Sequence, residues 1–190
     1  MQQHSSPRQR LELLAFFGAL CLFFASIEYL FPKPVPFFRL GLANLPVLIS
    51  LNLFSPAYVL LLVLLKVLGQ GLINGTLASY VFLFSLGGSF TSAIIMLLAK
   101  RIGGRHISLV GISLFGAIGS NVVQILLSLQ FIFGMTAWVI APVFMTLGVG
   151  SGLFVGLFAE RFQQQSRWLA RIQEYYGPHP EDRQLPLTQH

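Results

Sequence analysis

Long apolar runs separated by short polar breaks are the feature of this sequence that most restricts its fold. Residues 11–31 read LELLAFFGALCLFFASIEYLF, and runs of similar length follow through most of the chain. A helix needs about 20 apolar residues to cross a hydrocarbon core about 30 Å thick. With 55% hydrophobic and 9% charged residues, the chain lies outside the range of ordinary soluble domains. The sequence therefore predicts an all-α integral membrane protein.

The apolar runs predict a bundle of six transmembrane helices. They cover residues 11–31, 37–54, 56–72, 77–99, 107–133 and 137–159. Pro56 favours a helix start, because a proline at the first helical position removes no hydrogen bond. The first run follows two arginines, as in a cleaved signal peptide. Its length, and the lack of a small-residue cleavage site before Glu28, favour an uncleaved helix instead.

The polar ends of the chain are predicted to lie outside the transmembrane domain of residues 11–160. Residues 1–10 form a short segment before it. Residues 161–176 predict a basic amphipathic helix at the membrane surface. Its apolar side would consist of Phe162, Trp168, Leu169, Ile172 and Tyr176. Residues 177–190, with three prolines and mixed charge, are typical of a disordered tail.

Most cationic residues fall in breaks that six crossings would place on one side of the membrane. They are Arg8, Arg10, Lys100, Arg101, Arg105, Arg161, Arg167 and Arg171. Because Lys and Arg concentrate in cytoplasmic loops, both termini are predicted to be cytoplasmic. The net charge of +6 does not favour nucleic acid as a partner, since the cations lie between or beyond apolar runs and not along one soluble face.

Four ionisable residues interrupt the apolar pattern in or beside the first three runs. They are Glu28, Lys33, Arg39 and Lys66. A charge at mid-membrane costs about 2.5–3.5 kcal/mol on insertion scales, so each needs a partner, a cavity or an interface. In the predicted topology all four lie towards the outer side, and their positive excess favours an anionic or carboxylate-bearing ligand. The structural alternative pairs Glu28 with Lys66 or Arg39. Lys33 then reaches the lipid headgroups.

Amide side chains form a second candidate set. Asn121 and Gln124 are three residues apart, so a helix places them on one face. Hydrogen bonding between helices is the alternative for each amide, worth about 0.6 kcal/mol on average in membranes. Together with the charged residues, the predicted substrate-binding set comprises Lys33, Arg39, Asn44, Lys66, Asn74, Asn121 and Gln124.

Sequence signatures of several enzyme classes are missing. The sequence contains no GxxxxGK[ST] phosphate loop, no clustered metal ligands and no GxSxG elbow. Its single cysteine, Cys21, lies inside the first apolar run, so it predicts no disulfide framework. The expectation is a chain that is not itself an enzyme, with no cofactor and no metal.

Three segments resemble the signature of a family of small bacterial membrane proteins, labelled the Gx transporter family or heptaprenyl diphosphate synthase component I. They are FRLGLANLPVLISL at 38–51, the region 69–96, and VGISLFGAIGSNVVQILL at 110–127. The family reads His-Asn-x-x-Gln in the last segment, whereas this chain has Ser120 before Asn121. No role of that histidine is therefore carried over.

This family resembles the substrate-binding S components of energy-coupling-factor transporters. The resemblance implies six helices, an external pocket capped by the first loop, and small residues on helix one, here Ala15 and Ala19, that meet a transmembrane coupling subunit. It implies an uptake subunit for a small molecule in the bacterial cytoplasmic membrane, driven by partner ATPases. The synthase label implies instead an accessory role in polyprenyl diphosphate or quinone biosynthesis, with an isoprenoid-related ligand. A solitary carrier or channel is a third interpretation.

Overall fold

The computed structural model describes residues 7–30, 41–104, 106–166, 168–169 and 171–172, and all regular structure in these ranges is helical. Six α-helices follow in chain order: α1 Pro7–Leu30, α2 Leu45–Ser50, α3 Pro56–Ile73, α4 Tyr80–Gly103, α5 Leu109–Phe131 and α6 Ala137–Gln165. Two short 3₁₀ turns, Leu42–Asn44 and Gly134–Thr136, precede α2 and α6. The prediction of an all-α fold is confirmed over the described residues.

Five of these helices, α1 and α3 to α6, are long and apolar enough to cross a membrane. The second predicted run differs. Its described part, residues 41–54, contains the 3₁₀ turn Leu42–Asn44 and the six-residue α2, which at 1.5 Å per residue extends about 9 Å. Gly41 has a left-handed backbone with φ 76°, and Pro46 stands in the first turn of α2. Over residues 41–54 of the run expected at 37–54, continuous α-helix is therefore limited to a short piece.

Helices α1 and α3 lie side by side and point the same way. Gly18 of α1 lies against Leu62 of α3, and Leu22 lies against Gly69, so residue numbers rise together along the contact. The chain that joins α1 to α3 must therefore return to the end at which α1 began. The later neighbours run antiparallel: Gly71 meets Phe82, and Gly88 meets Gln124.

These directions bring together the beginnings of α1, α3 and α5 and the ends of α4 and α6. We call this the cationic end of the bundle. Its described cations are Arg8, Arg10, Lys100, Arg101, Arg161 and Arg171. Six of the eight cations that the sequence groups therefore lie at one end of the bundle, and Arg105 and Arg167 lie outside the described residues.

Helix α2 lies inside the bundle, with all six of its residues buried. The Lys100 ammonium donates to the carbonyl oxygen of Leu51, just after α2, and Asn52 Nδ2 donates to Gln163 Oε1 at 3.4 Å. The Phe54 ring packs edge-on against Phe17, with centroids 5.8 Å apart. Residues 45–54 therefore reach the cationic end through the interior, where their non-helical backbone is shielded from lipid.

Helix α6 continues past the end that hydropathy predicts. It includes residues 161–165, which the sequence assigned to a separate surface helix. Beyond it, Leu169 is fully buried in the hydrophobic core, and the Trp168 ring lies 5.6 Å from that of Phe16. Tyr176 and residues 177–190 lie outside the described residues. The described part of this segment packs on the bundle itself.

Candidate ligand cavity

A polar cavity lies inside the bundle between α1, the turn Leu42–Asn44, and α3 to α6. The space in which the centre of a water molecule can move is about 50 Å³. One water needs roughly 10–15 Å³ on this measure, so the cavity has room for several waters or a small polar group. Its polar lining includes Glu28, Asn44, Lys66, Gln70, Ser89 and Gln124.

Lys66 is the buried cation of this cavity. Helix α3 places its side chain towards the bundle interior, where the residue is 3% exposed. Its ammonium donates to Asn44 Oδ1 and, at 3.4 Å, to Ser89 Oγ of α4. A buried ammonium is costly unless acceptors surround it, and these two neutral oxygens supply part of that need. Lys66 therefore joins α3, α4 and the turn before α2.

Glu28 is the buried anion, near the end of α1 and also 3% exposed. Its Oε1 accepts a hydrogen bond from the backbone N–H of Gly41 at 3.2 Å. The same turn closes through a bond of 2.8 Å from Asn44 N to Gly41 O. A left-handed φ is easiest for glycine, so Gly41 permits the turn that directs its own amide to Glu28 and Asn44 to Lys66.

The two amides of α5 have different partners. Asn121 Nδ2 donates to the Phe144 carbonyl of α6 at 3.2 Å. Gln124 Nε2 donates to Ser120 Oγ within α5 at 3.0 Å, and Gly88 of α4 leaves room for it. Both residues border the cavity and are 7% exposed. Asn121 thus forms a hydrogen bond between two helices, whereas the hydrogen bond of Gln124 to Ser120 stays within α5.

Serines of α4 complete the wall and were not selected from the sequence. Ser85 and Ser89 line the cavity one helical turn apart. Ser92 follows at the next helical step, and its hydroxyl, in a residue 1% exposed, has no hydrogen-bond partner in the described part of the chain. Their helical spacing is the sequence pattern that could have indicated these serines, but single serines are common in membrane helices.

The predicted site residues separate into three groups. The structure brings Asn44, Lys66, Asn121 and Gln124 to one cavity. Asn74 instead ends α3 and is half-buried away from the lining. Two others, Lys33 and Arg39, lie outside the described residues, so their role stays a prediction.

The lining also holds groups that the predicted set left out, among them Glu28 and Gln70. The described charged residues of the lining are Lys66 and Glu28, one of each sign. An excess of positive charge, which the sequence suggested, is therefore not present among them. Ala15 and Ala19, predicted to meet a coupling subunit, lie on the exposed surface of α1.

The comparison with protein families gives a match over most of the chain. A family model described as heptaprenyl diphosphate synthase component I matches residues 17–162. The chain belongs to this family. No curated protein matches the sequence, and no solved structure does.

The heptaprenyl diphosphate synthase component I match contains every described residue that lines the cavity, from Glu28 to Val155. The family resemblance read from the sequence is confirmed. Five apolar helices and this membership identify a multi-pass membrane protein.

Proposed function

We propose that this chain is the substrate-binding membrane subunit of an uptake system for a small molecule, and not itself an enzyme. The observation that carries the proposal is the buried polar cavity, in which Asn44 and Ser89 hold the ammonium of Lys66. Ionisable side chains inside a membrane bundle are costly, and they mark substrate or ion sites. Polar groups that converge on a small cavity supply orientation and specificity for a ligand.

The proposed topology has six crossings and cytoplasmic termini in a bacterial cytoplasmic membrane. Residues 41–54 belong to a second crossing in this proposal, broken around α2, because α1 and α3 point the same way. The positive-inside rule then assigns the cationic end to the cytoplasm. Lys66 lies past the middle of α3, and Glu28 lies near the end of α1. These two charged groups are thus nearer the external side, as uptake requires, whereas Ser113 and Val155 of the lining lie nearer the cationic end.

The proposed partners are a transmembrane coupling subunit and ATPases, which supply the energy. The chain has no phosphate loop that would let it bind ATP in that manner. Ala15 and Ala19 lie on the exposed face of α1, where small side chains let another helix approach closely. These features support docking of a second membrane protein on α1.

Native mass spectrometry of gently purified protein tests the proposal. Wild-type protein is expected to retain a small molecule, and Lys66→Gln to retain at least tenfold less, because the cavity loses its ammonium. Lys66→Gln keeps N–H donors for Asn44 and Ser89, and thermal unfolding of the variant checks that the fold persists. The matched control is Arg101→Gln, an exposed cation at the cationic end, which should retain the molecule fully. Equal occupancy in wild type and Lys66→Gln contradicts the proposal.

An accessory role in polyprenyl diphosphate synthesis is the second candidate, and the family description favours it. Catalysis by this chain alone is not part of that candidate, because prenyl synthases hold magnesium and diphosphate with aspartate-rich motifs. The only aspartate of this sequence is Asp182. A synthase assay with and without this subunit distinguishes the candidates. A change in product chain length supports the accessory role, and unchanged rate and length exclude it.

A further inference from the structure

The cavity is elongated along the bundle, towards the cationic end. On α4 its lining extends from Ser85 to Met96, about 16 Å at 1.5 Å per residue. On α5 the lining extends over the same length, from Gln124 back to Ser113. Met96 and Ser113 are the lining residues of α4 and α5 that lie nearest the cationic end. The cavity therefore continues towards the side to which an uptake protein must deliver its ligand.

Buried apolar side chains close the cavity at this end. Met96 is 2% exposed, and Val155, the lining residue of α6 nearest the cationic end, is 3% exposed. Both belong to the hydrophobic core that also contains Val47 and Leu48 of α2. Since α2 follows the cavity-lining Asn44 directly, this helix extends the closure from the cavity to the cationic end.

The helices around the closed end differ in how firmly they pack. Helices α4, α5 and α6 approach one another closely at glycines: a Cβ at Gly116 would lie 2.5 Å from Met96 Cε, and one at Gly156 would lie 2.7 Å from Val110 Cα. Helix α2 has six residues, well below the roughly 12–15 at which an isolated helix becomes marginally stable. Its position therefore depends on its surroundings more than theirs does.

Side chains of other helices hold both ends of α2. Before it, Asn44 Oδ1 accepts from the Lys66 ammonium of α3. After it, the Leu51 carbonyl accepts from the Lys100 ammonium of α4. One short helix is thus bound to the cation of the cavity at its beginning and to the cationic end of the bundle at its end.

We propose that α2 is a movable gate between the cavity and the cytoplasm, and that Lys100 holds this gate shut. Movement of α2 away from Lys100 opens a path from the cavity past Met96 and Val155, while α4, α5 and α6 keep their close contacts. Moving elements are drawn from the less stable parts of a fold, as a six-residue helix is. The inference rests on the proposed function and adds the route by which the ligand leaves the cavity.

Cysteine labelling in inside-out membrane vesicles tests the gate. Ser120→Cys in a Cys21→Ala background places one thiol in the cavity wall. The probe is trimethylammonium-ethyl methanethiosulfonate, a thiol reagent that does not cross membranes. Lys100→Met removes the donor to the Leu51 carbonyl, so it should raise the labelling rate about tenfold, the scale of a lost hydrogen bond to a charged group. The matched control is Arg101→Met, a neighbouring exposed cation, which should leave the rate unchanged.

Two further variants complete the test. Arg101→Cys in the Cys21→Ala background should label in the same vesicles, because the cationic end then faces the reagent. Asn52→Ala loses the 3.4 Å bond to Gln163 after α2 and should raise the Ser120→Cys rate by a smaller factor, which keeps the proposal testable if Lys100→Met does not fold. Thermal unfolding checks the fold of each variant.

An unchanged labelling rate in folded Lys100→Met or Asn52→Ala overturns the proposal. So does an equal rise in Arg101→Met, or no labelling of Arg101→Cys. Any of these results leaves the proposed uptake function standing if Lys66→Gln still loses the retained small molecule. Full retention in Lys66→Gln removes the uptake function instead, and a raised labelling rate would then still identify α2 as a movable seal.

Discussion

The interface between α5 and α6 and the cavity wall formed by α1, α3 and the turn Leu42–Asn44 both place polar groups inside an apolar bundle. The two regions hold these polar groups in different ways. At the α5–α6 interface, Asn121 donates to the Phe144 carbonyl and Ser113 donates to the Gly152 carbonyl at 2.8 Å. At the cavity wall, Lys66 binds the Asn44 side chain, Glu28 accepts from the Gly41 N–H, and both charged groups face open space.

The difference separates stability from recognition. A side chain that binds the backbone of the next helix fixes a close contact and uses its own donor, as Asn121 and Ser113 do at the edge of the cavity. Glycines on α6 make that closeness possible: Gly148 lies against Asn121, Gly152 against Ala117, and Gly156 against Val110. Charged side chains around open space, by contrast, are arranged to meet something else.

The largest expected effect comes from filling the space that Gly148 leaves between α5 and α6. A Cβ at Gly148 would lie 1.5 Å from Asn121 Nδ2, so Gly148→Ala must displace the amide from its bond to the Phe144 carbonyl. Overpacking of this kind typically costs 1–3 kcal/mol, so we expect a loss of about 2 kcal/mol in thermal or denaturant unfolding. Gly150→Ala on the same helix is the matched control, because nothing lies within 4 Å of its added Cβ.

Helix propensity favours alanine over glycine by up to about 1 kcal/mol, so Gly150→Ala should unfold no earlier than wild type. If Gly148→Ala is as stable as Gly150→Ala, α5 and α6 are not in close contact at Asn121. The α5–α6 interface would then be no more closely packed than the cavity wall.

The two amides of α5 are expected to rank in opposite orders for their effects on stability and on ligand retention. Asn121→Ala should lower stability more than Gln124→Ala, by about 0.6 kcal/mol, because it removes a bond between helices. Gln124→Ala should reduce retention of the small molecule more than Asn121→Ala does. Unfolding and native mass spectrometry of the same samples measure both effects. Gln130→Ala, an exposed amide of α5, is the control for both. Equal changes in the two variants would show that stability and binding are not separated.

The smallest effects are expected at two buried serines, with opposite signs. Ser92 has a buried hydroxyl without a described partner, so Ser92→Ala should raise stability, by up to about 1 kcal/mol. Ser113 donates to Gly152, so Ser113→Ala should lower stability by about 0.6 kcal/mol. Chemical unfolding of both variants beside wild type provides the measurement. A loss of stability in Ser92→Ala would mean that its hydroxyl binds a group such as an internal water.

Hydropathy predicted α1 and α3 to α6 because length and apolar composition are sufficient signals for a spanning helix. It did not predict how the second run is divided. The left-handed turn at Gly41 and the break after Ser50 hardly change the apolar composition of that run. Hydropathy also does not distinguish burial against protein from burial against lipid, and α2 is buried against protein.

Part of the cavity was predictable because Lys66, Asn44, Asn121 and Gln124 are conspicuous in apolar surroundings. The sequence did not indicate their partners, since these depend on how helices pack. The sequence indicated Glu28 as a charged residue in an apolar run. Its hydrogen bond from the Gly41 N–H depends on the turn at Gly41. Asn74 shows the converse case, because an amide beside a helix end need not face the interior.

The buried position of α2 has a consequence for the order in which the protein is assembled. Asn52 follows α2 and binds Gln163, which is synthesised more than a hundred residues later. Lys100, which binds the Leu51 carbonyl, also arrives after α2 has left the ribosome. Residues 45–54 therefore reach their final place only when α6 has been made. Until then, surrounding lipid or the membrane insertion machinery must accommodate this segment.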